Sequence, residues 1–450
     1  MSTKSSGAAS ARESFSTRWG FVLACIGSVV GMGNIWMFPG RVSRYGGGSY
    51  LIAYILFVVI IGFSGVIGEM AFGRATGSGP IGAFQKAFKS RGWNEKIGFW
   101  LGVVPVVGSL ALAVGYSVVV GWILKYTVGS FVGFSLSPDS LDGFGAAFGG
   151  MAQAFGNTGW QLAGLAATFY IMSAGITNGI EKANKIMIPL FFVMFVGLGV
   201  YIAFRPGASE GYKYIFSVDP AAFRNPMTWI FALGQAFFSL SLAGNGTLIY
   251  GSYLKKDVDI INSAAKVAFF DTAAALMAAL VIIPAVAAAG ARLDAGGPGL
   301  IFIYLPHLFK SMPGGRLIMI IFFLSVLFAG VTSLINLFEV SIATLQERMG
   351  LSRVKAVLAI AVIGTASSVV IQGIVGGWMD FVSIYVCPLG AAMAGIIFYW
   401  VFGGKYARTE LQKGRAKEIG PWLEPMTKYV FCVMTVIVFI LSCVTPGGIG

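Results

Sequence analysis

Long apolar runs alternate with short polar stretches along the whole chain. Each run of about 20 residues can cross a bilayer as a helix, and a soluble core does not produce so many uncharged runs. We number the predicted membrane spans 1 to 11 in chain order: 19–43, 48–73, 97–126, 160–178, 184–204, 228–254, 262–290, 314–346, 354–373, 378–403 and 428–445. The pattern predicts an all-α polytopic membrane protein with one transmembrane domain over 1–450.

Three connections exceed a simple turn. Residues 127–159 are rich in Gly, Phe and Ser, and residues 205–227 contain the stretch RPGASEGYKYIFSVDP. Residues 291–313 contain GGPGLIFIYLPHLF, which predicts a re-entrant segment or a short helical cap.

Two spans carry the same interruption. Span 1 contains GSVVGMGN from Gly27 to Asn34, and span 6 contains SLSLAGNG from Ser239 to Gly246. The spans are five apart, which predicts two five-helix repeats over 19–204 and 228–403, with an extra span at 428–445. Unwound backbone at membrane depth must line a cavity or be buried in protein, and a matching pair is typical of a transporter's central site. For either segment alone, tight helix packing by small residues remains an alternative.

Charge sets the expected orientation. The chain is 57% hydrophobic and 11% charged, with a net charge of +13. If the N-terminus is cytoplasmic, 22 of the 31 Lys and Arg residues fall in the inner segments and 9 elsewhere. This bias predicts a cytoplasmic N-terminus and, with an odd number of spans, an extracellular C-terminus. The basic residues thus follow membrane topology, and we expect the bilayer rather than nucleic acid as the partner.

The sequence gives little support for disulfides, a zinc site or an enzyme active site. The four cysteines lie in apolar spans without a CxxC pattern, which indicates neither disulfides nor zinc: Cys25, Cys387, Cys432 and Cys443. The single histidine, His307, lies in a predicted loop. We find no Ser/His/Asp set, HExxH motif or nucleotide-binding loop, and we expect no enzyme activity. The polar N-terminus shows no cleavable signal.

Polar groups inside the spans are candidates for function. An ionisable group such as Asp271 in span 7 is costly in a membrane, and a cation partner is its simplest compensation. Protonation or a bond to a neighbouring helix is the alternative. For Glu69 and Glu339 we favour a structural role, in which they hydrogen-bond unwound backbone or a neighbouring span.

Span 8 contains the adjacent hydroxyls Thr332 and Ser333, one turn after Ala329. Such hydroxyls often bond back to the preceding turn. Facing a broken helix with free carbonyls, they would instead complete a set of five oxygen ligands. Neutral oxygens suit a monovalent cation better than a divalent one.

Four motifs together resemble the neurotransmitter:sodium symporter family: GSVVGMGNIWMFP, GEMAFGR, GQAFFSLSLAGNG and FAGVTS. The resemblance covers essentially the whole chain, with the motifs in matching spans and order. It is greatest to bacterial members with eleven rather than twelve spans. It implies a LeuT-like fold with a 5+5 inverted repeat, spans 1 and 6 unwound, and transport by alternating access.

The resemblance implies two sodium sites. The first is formed by the carbonyl of Val29 and the side chains of Asn34, Ser239 and Asp271. The second is formed by the carbonyls of Gly27, Val30 and Ala329 and the hydroxyls of Thr332 and Ser333. Animal members need chloride near an Asn in span 7. Because Asp271 supplies a negative charge, we expect no chloride requirement.

The implied substrate is a zwitterionic amino acid. Its carboxylate is expected at the amides of Met32 and Gly33 and the Tyr116 hydroxyl. Its ammonium is expected at Val29, Phe238, Ser239 and Ser241. The expected lining of its side chain is Leu112, Tyr116, Phe238, Gly244, Ser333 and Leu337. This lining is uncharged and favours an apolar side chain. Some relatives carry phenylalanine at Gly244, so glycine leaves room for aromatic substrates, while Asn245 adds a polar amide.

The resemblance also implies gates. Tyr116 and Phe238 are expected to form an aromatic lid. The family's outer ion pair needs an arginine, but Met37 stands there, which leaves Asp380 without that partner. The inner pair matches Arg12 and Glu347, with Tyr253 and Phe15 nearby. In span 5, Gly179 and Pro189 favour local unwinding that admits water to the second sodium; an ordinary helix boundary is the alternative.

The sequence therefore predicts sodium-coupled uptake of hydrophobic L-amino acids across a bacterial plasma membrane, without an obligate protein partner. A proton-coupled amino-acid transporter of the same fold is the main alternative. It would not need Ser239, Asp271, Thr332 and Ser333 to converge as oxygen ligands. A channel or receptor on this scaffold would conduct, or bind without accumulating its ligand.

Overall fold

The computed structural model describes residues 13–242, 245–290 and 297–449. These residues are mainly helical, with an isolated antiparallel bridge between Gly47 and Val218. Eight helices in this part of the chain are long and apolar enough to cross a membrane, or nine if the two bent halves of span 1 count as one. The expected all-α architecture is confirmed.

The helices follow the predicted spans, with shifted ends. Spans 1 to 11 correspond to Arg18–Val29 with Gly33–Arg44, Gly48–Thr76, Glu95–Val132, Thr158–Ser173, Ile176–Ala203, Pro226–Ser239 with Gly246–Gly251, Ile260–Ala288, Gly315–Met349, Arg353–Val370, Gln372–Phe402 and Leu423–Val444. Spans 4 and 6 are not among the helices counted above as long enough to cross a membrane, but the structure contains both. Span 4 has only 16 residues, and span 6 is divided into two short helices.

The connections contain more helix than their composition indicates. The longest of these helices are Pro80–Ser90, Leu141–Ala152, Ala208–Phe216, Leu305–Ser311 and Gly404–Gln412. Span 3 extends to Val132, where Gly133 takes a left-handed conformation with φ 100° and ends the helix. The predicted connections 127–159 and 205–227 are therefore partly helical.

Span 1 breaks where its sequence becomes rich in glycine. The first helix ends at Val29, and Val30 is extended with φ −74° and ψ 108°. The helix resumes at Gly33 in wide π-type turns, and the two halves are bent by 52°. The break leaves backbone groups between Val29 and Gly33 outside regular helix hydrogen bonding.

Span 6 breaks after Ser239, and the polypeptide there adopts uncommon conformations. Ser241 and Asn245 both have positive φ, at 53° and 52°, although neither is glycine. A non-glycine residue in this region carries a strain of about 1–3 kcal/mol, which surrounding contacts must hold in place.

Burial divides the spans into an inner and an outer group. In span 8, 72% of the most apolar window is buried, against 28% in spans 5 and 9. Span 8 packs against spans 1, 3 and 5, and both interrupted spans contact it. The breaks therefore lie inside the bundle, where exposed backbone polar groups are tolerated.

Candidate functional site at the two helix breaks

The two breaks lie side by side and are joined by hydrogen bonds. Ser241 Oγ donates to the Ser28 carbonyl at 2.7 Å. Gln235 Nε2, one turn before the break in span 6, donates to the Gly33 carbonyl at 3.1 Å. The side chains of span 6 thus hold two carbonyls of span 1, of which that of Gly33 also accepts from the Phe38 amide.

Asn34, Ser239 and Asp271 meet at one point in the bundle. Asn34 Nδ2 lies 2.8 Å from Asp271 Oδ1 and 3.0 Å from Ser239 Oγ. Ser239 Oγ lies 2.9 and 2.8 Å from the two carboxylate oxygens. Asp271 is fully buried, and no lysine or arginine of the described segments forms an ion pair with it. Three of the four groups expected at the first cation site converge.

A second cluster joins span 8 to the other side of the break in span 1. Ser333 Oγ donates to the carbonyls of Gly27 and Val30 at 3.2 and 3.0 Å. Thr332 Oγ1 donates to the Ala329 carbonyl at 3.1 Å, and also bonds back to Phe328. The residues expected at the second cation site therefore lie together. In the described ranges, we find no group of three or more His, Cys, Asp or Glu residues suited to a metal ion.

Between the clusters, spans 3 and 8 approach span 1 at Gly31, which has no side chain. The amide of Met32 donates to Tyr116 Oη at 3.3 Å. A Cβ at Gly31 would stand 2.9 Å from Ser333 Oγ and 3.0 Å from Tyr116 Oη, whereas one at Gly33 would meet nothing within 4 Å. The backbone beside Gly33 therefore faces open space, and Tyr116 and Ser333 border it from two sides.

Apolar side chains lie around this space. Leu337 is 8% exposed, and Leu112 and Phe238 are half-buried. Among the described ring pairs, Phe238 contacts Phe237 at 6.1 Å between centroids, and none joins it to Tyr116. The two rings expected to form a lid are thus not in contact with each other.

Gly244 and Asn245 of span 6 are the other two residues that the sequence predicts at the substrate site. Gly244 lies outside the described residues. Asn245 is fully buried, and its carboxamide has no hydrogen-bond partner in the described part of the chain. Its Nδ2 lies 3.5 Å from the Cβ that Gly390 would carry, so the amide faces span 10.

At the face of the bundle nearest the described N-terminal residues, aromatic rings close the interior. Phe15 is 5% exposed, and its ring centroid lies 6.3 Å from that of Tyr253. Glu347 Oε1 accepts a hydrogen bond from the Gly79 amide at 2.8 Å. Arg12, the predicted partner of Glu347, lies outside the described residues.

The two glutamates inside the bundle hold structural contacts. Glu339 is fully buried and forms a salt bridge with Arg353 of span 9 at 2.6 Å, while Tyr253 Oη donates to it at 2.6 Å. Glu69 accepts a hydrogen bond from the Thr247 hydroxyl, directly after the break in span 6. Both contacts agree with the structural roles expected from the sequence.

The opposite face closes through residues that the sequence did not single out. Asp380 is exposed, and the described residues give it no ion pair. Two residues before it, Trp378 donates through Nε1 to the Ala111 carbonyl of span 3 at 2.8 Å. Met379 Sδ would stand 2.3 Å from a Cβ at Gly115. Span 10 therefore rests directly on span 3, just beyond Leu112 and Tyr116.

Span 5 begins in wide turns, but most of the stretch from Gly179 to Pro189, where the sequence favours unwinding, belongs to the regular α-helix Lys182–Ala203. Ile176–Glu181 is a π-helix, and Gly179 lies so close to span 4 that a Cβ would stand 2.0 Å from the Ile171 carbonyl. The Glu181 carboxylate accepts hydrogen bonds from the Ser16 amide and the Thr17 hydroxyl at 2.7 and 2.8 Å. The segment before span 1 is thus docked on span 5.

Comparison with known proteins agrees with this architecture. The model of the sodium:neurotransmitter symporter family matches residues 12–137 and 147–448. An uncharacterized sodium-dependent transporter of Methanocaldococcus jannaschii is 31% identical, over 98% of this chain and 92% of its own. The uncharacterized sodium-dependent transporter YhdH of Bacillus subtilis is 35% identical, over 74% of this chain and 72% of its own.

A solved structure is similar over nearly the whole chain. The crystal structure of MhsT in complex with L-phenylalanine has a TM-score of 0.84 and 32% identity, and the match covers 95% of this chain and 99% of that one. This likeness confirms the LeuT-like fold expected from the sequence motifs. The chain belongs to the sodium:neurotransmitter symporter family, and it is a multi-pass, sodium-dependent membrane transporter rather than an enzyme.

Proposed function

We propose that this protein couples the entry of two sodium ions to the uptake of one hydrophobic L-amino acid, without chloride. The observation that carries the proposal is the buried Asp271 carboxylate, which is surrounded by hydroxyl and amide groups and has no described cationic side chain paired with it. Leaving a charge without a counter-ion in a membrane interior costs several kcal/mol, and a bound cation removes that cost.

The first sodium ion would bind between the Val29 carbonyl, Asn34, Ser239 and Asp271. Coordination requires the Ser239 hydroxyl hydrogen to turn away and the Asn34 carboxamide to present Oδ1, which accepts from the Gly31 amide at 3.0 Å. Both are side-chain rotations. Since Asp271 supplies the negative charge beside this ion, we propose that chloride is not needed there.

The second sodium ion would bind among neutral oxygens. Its ligands would be the carbonyls of Gly27, Val30 and Ala329 and the hydroxyls of Thr332 and Ser333. The hydrogen bonds from Ser333 to two carbonyls support this assignment, because they bring the oxygens within one ion's reach. A set without a carboxylate favours a monovalent ion.

The amino acid would bind at the open space beside Gly33. Backbone amides of Met32 and Gly33, at the start of the second half of span 1, suit its carboxylate. Carbonyls near Val29, Phe238 and Ser239 suit its ammonium, and Ser241 Oγ still has lone pairs to accept from it. The apolar lining by Leu112, Phe238 and Leu337 supports a hydrophobic side chain, and the bound phenylalanine of MhsT supports an aromatic one.

Alternating access would use different contacts at the two faces. We propose that Phe15, Tyr253 and the pair of Arg12 with Glu347 close the inner face. At the outer face, the packing of Trp378 and Met379 of span 10 against span 3 would replace the arginine–aspartate pair. The bias of basic residues supports a cytoplasmic N-terminus in a bacterial plasma membrane.

The test is uptake of labelled leucine, phenylalanine and tryptophan into proteoliposomes under an imposed sodium or proton gradient. We expect accumulation driven by inward sodium at constant pH, and none driven by a proton gradient in sodium-free buffer. Accumulation that follows the proton gradient and ignores sodium would favour the proton-coupled alternative and refute the proposal.

A further inference from the structure

Span 5 carries a buried acceptor that no hydrogen-bond donor reaches. Asn184 is fully buried, and its Nδ2 donates to the Ile180 carbonyl at 2.9 Å. Its Oδ1 has no partner in the described segments. Exchanging the two amide atoms would set Oδ1 against the Ile180 oxygen, so the hydrogen bond to Ile180 fixes which atom faces away.

The free oxygen points at span 1, beside the second cation cluster. A Cβ at Gly27 would stand 2.0 Å from Asn184 Oδ1 and 2.9 Å from Thr332 Cβ. The amide oxygen of span 5, the Gly27 backbone and the Thr332 side chain therefore meet at one place. The missing side chain of Gly27 provides the space that the amide oxygen occupies.

The described polar groups around this oxygen donate no hydrogen bond to it. The nearby hydroxyl groups of Thr332 and Ser333 already donate to backbone carbonyls. The Thr332 hydroxyl donates to carbonyls of its own helix, at Phe328 and Ala329. The Ser333 hydroxyl donates to the carbonyls of Gly27 and Val30. A buried acceptor without a donor is costly, and several oxygens gathered without hydrogens favour a hard cation.

We infer that Asn184 Oδ1 is a further oxygen ligand of the second sodium ion. The inference rests on the proposed function, since it adds span 5 to a site otherwise made by spans 1 and 8. Asn184 lies one turn after the π-helix Ile176–Glu181, and its Nδ2 holds the Ile180 carbonyl of that segment.

The experiment measures sodium binding without transport. The purified full-length protein is melted in detergent without amino acid, while sodium replaces choline at constant ionic strength. Sodium that binds the folded state raises the melting temperature. In Asn184→Leu, which keeps the shape but removes the oxygen, we expect the sodium concentration for half of the shift to rise about tenfold. Asn184→Asp, which keeps an oxygen and adds charge, should lower it.

Two controls locate the effect. Asn178→Leu removes an exposed asparagine from the same segment and should match the wild type. Repeating the series in an Asp271→Asn background weakens the first site, and the effect of Asn184→Leu should persist because the two sites are separate.

Unchanged sodium dependence in Asn184→Leu, in both backgrounds, would overturn the inference. A water molecule, rather than sodium, would then be the partner of Oδ1. If Asn184→Leu does not fold, Asn184→Asp decides: tighter sodium binding supports the ligand, and unchanged or weaker binding refutes it. A wild-type protein that responds to sodium while its variants match it refutes only the role of Asn184. A wild-type protein without any sodium response refutes the proposed function as well.

Discussion

Met379 of span 10 lies directly over Gly115 of span 3, where a Cβ would stand only 2.3 Å from its Sδ. The contact works because glycine has no side chain. Gly115→Val should hold the two spans apart and slow closure of the outer face. We expect the uptake rate to fall about tenfold, in line with the 1–3 kcal/mol typical of overpacking, while equilibrium binding of phenylalanine stays within about twofold.

The matched control for this prediction is Gly197→Val in span 5. A Cβ there meets nothing within 4 Å, so uptake should be unchanged. Equal loss of uptake in both variants, or loss of binding in Gly115→Val alone, would argue against a gate at this contact.

Removing the charge of Asp271 should weaken sodium binding strongly. Asp271→Asn keeps the shape of the side chain but leaves a cation without its counter-charge. We expect the sodium concentration for half-maximal phenylalanine binding to rise about ten- to hundredfold, measured by scintillation proximity at fixed ionic strength. Asp257→Asn, at an exposed loop position, is the control. Sodium affinity that survives Asp271→Asn would remove this residue from the ion site.

Replacing chloride should leave transport intact. Asp271 supplies the negative charge at the proposed first sodium site, so an added anion has no charge to balance there. In proteoliposomes with gluconate on both sides, initial uptake rates should equal those in chloride. A several-fold loss of rate in gluconate would show that another anion is required.

The Tyr116 hydroxyl should contribute to substrate affinity rather than to folding. It lies 3.3 Å from the Met32 amide, where the substrate carboxylate is proposed to bind. Tyr116→Phe should raise the Kd for phenylalanine about tenfold by isothermal titration, with an unchanged melting temperature. Tyr126→Phe is the control in the same helix, because that hydroxyl donates to the Phe302 carbonyl instead. Equal losses of affinity in both variants would contradict the assignment.

Breaking the buried pair of Glu339 and Arg353 should destabilise the protein. Arg353→Ala leaves a fully buried carboxylate without its partner, which costs about 3–5 kcal/mol. Thermal melts in detergent should show the loss, and Lys355→Ala at an exposed position should not. Adding Glu339→Gln should recover part of the stability, and a further loss in the double variant would argue against the pair.

Some signals of the candidate site are local in the sequence. Glycine, serine and asparagine interrupt two apolar runs, and a carboxylate within a third has few permissible explanations. The grouping of Asn34, Ser239 and Asp271 came instead from the family resemblance, and the structure places these three side chains within hydrogen-bond distance of one another. Helix boundaries were less accurate: Leu141–Ala152 is helical although its glycines favour a loop. Packing against the bundle overrides that weak preference.

Contacts between distant spans could not be predicted in the same way. Trp378 and Met379 look like ordinary apolar residues in the sequence, and their role appears only when span 10 lies on Gly115. Asn184 is similar, since its importance depends on the missing side chain of Gly27. Each of these contacts joins a side chain to a glycine far away in the sequence. Neither residue alone predicts the contact.

In the proposed function, Gly31 lies between the second sodium ion and the amino acid. Because Gly31 has no side chain, Ser333 of the second cluster and Tyr116 beside the open space both approach the position that a Cβ would occupy. Two ligands that bind against one rigid partition influence each other's affinity by equal factors, whichever arrives first. Under the proposed function, the factor by which sodium changes the affinity for the amino acid is therefore also the factor by which the amino acid changes the affinity for sodium.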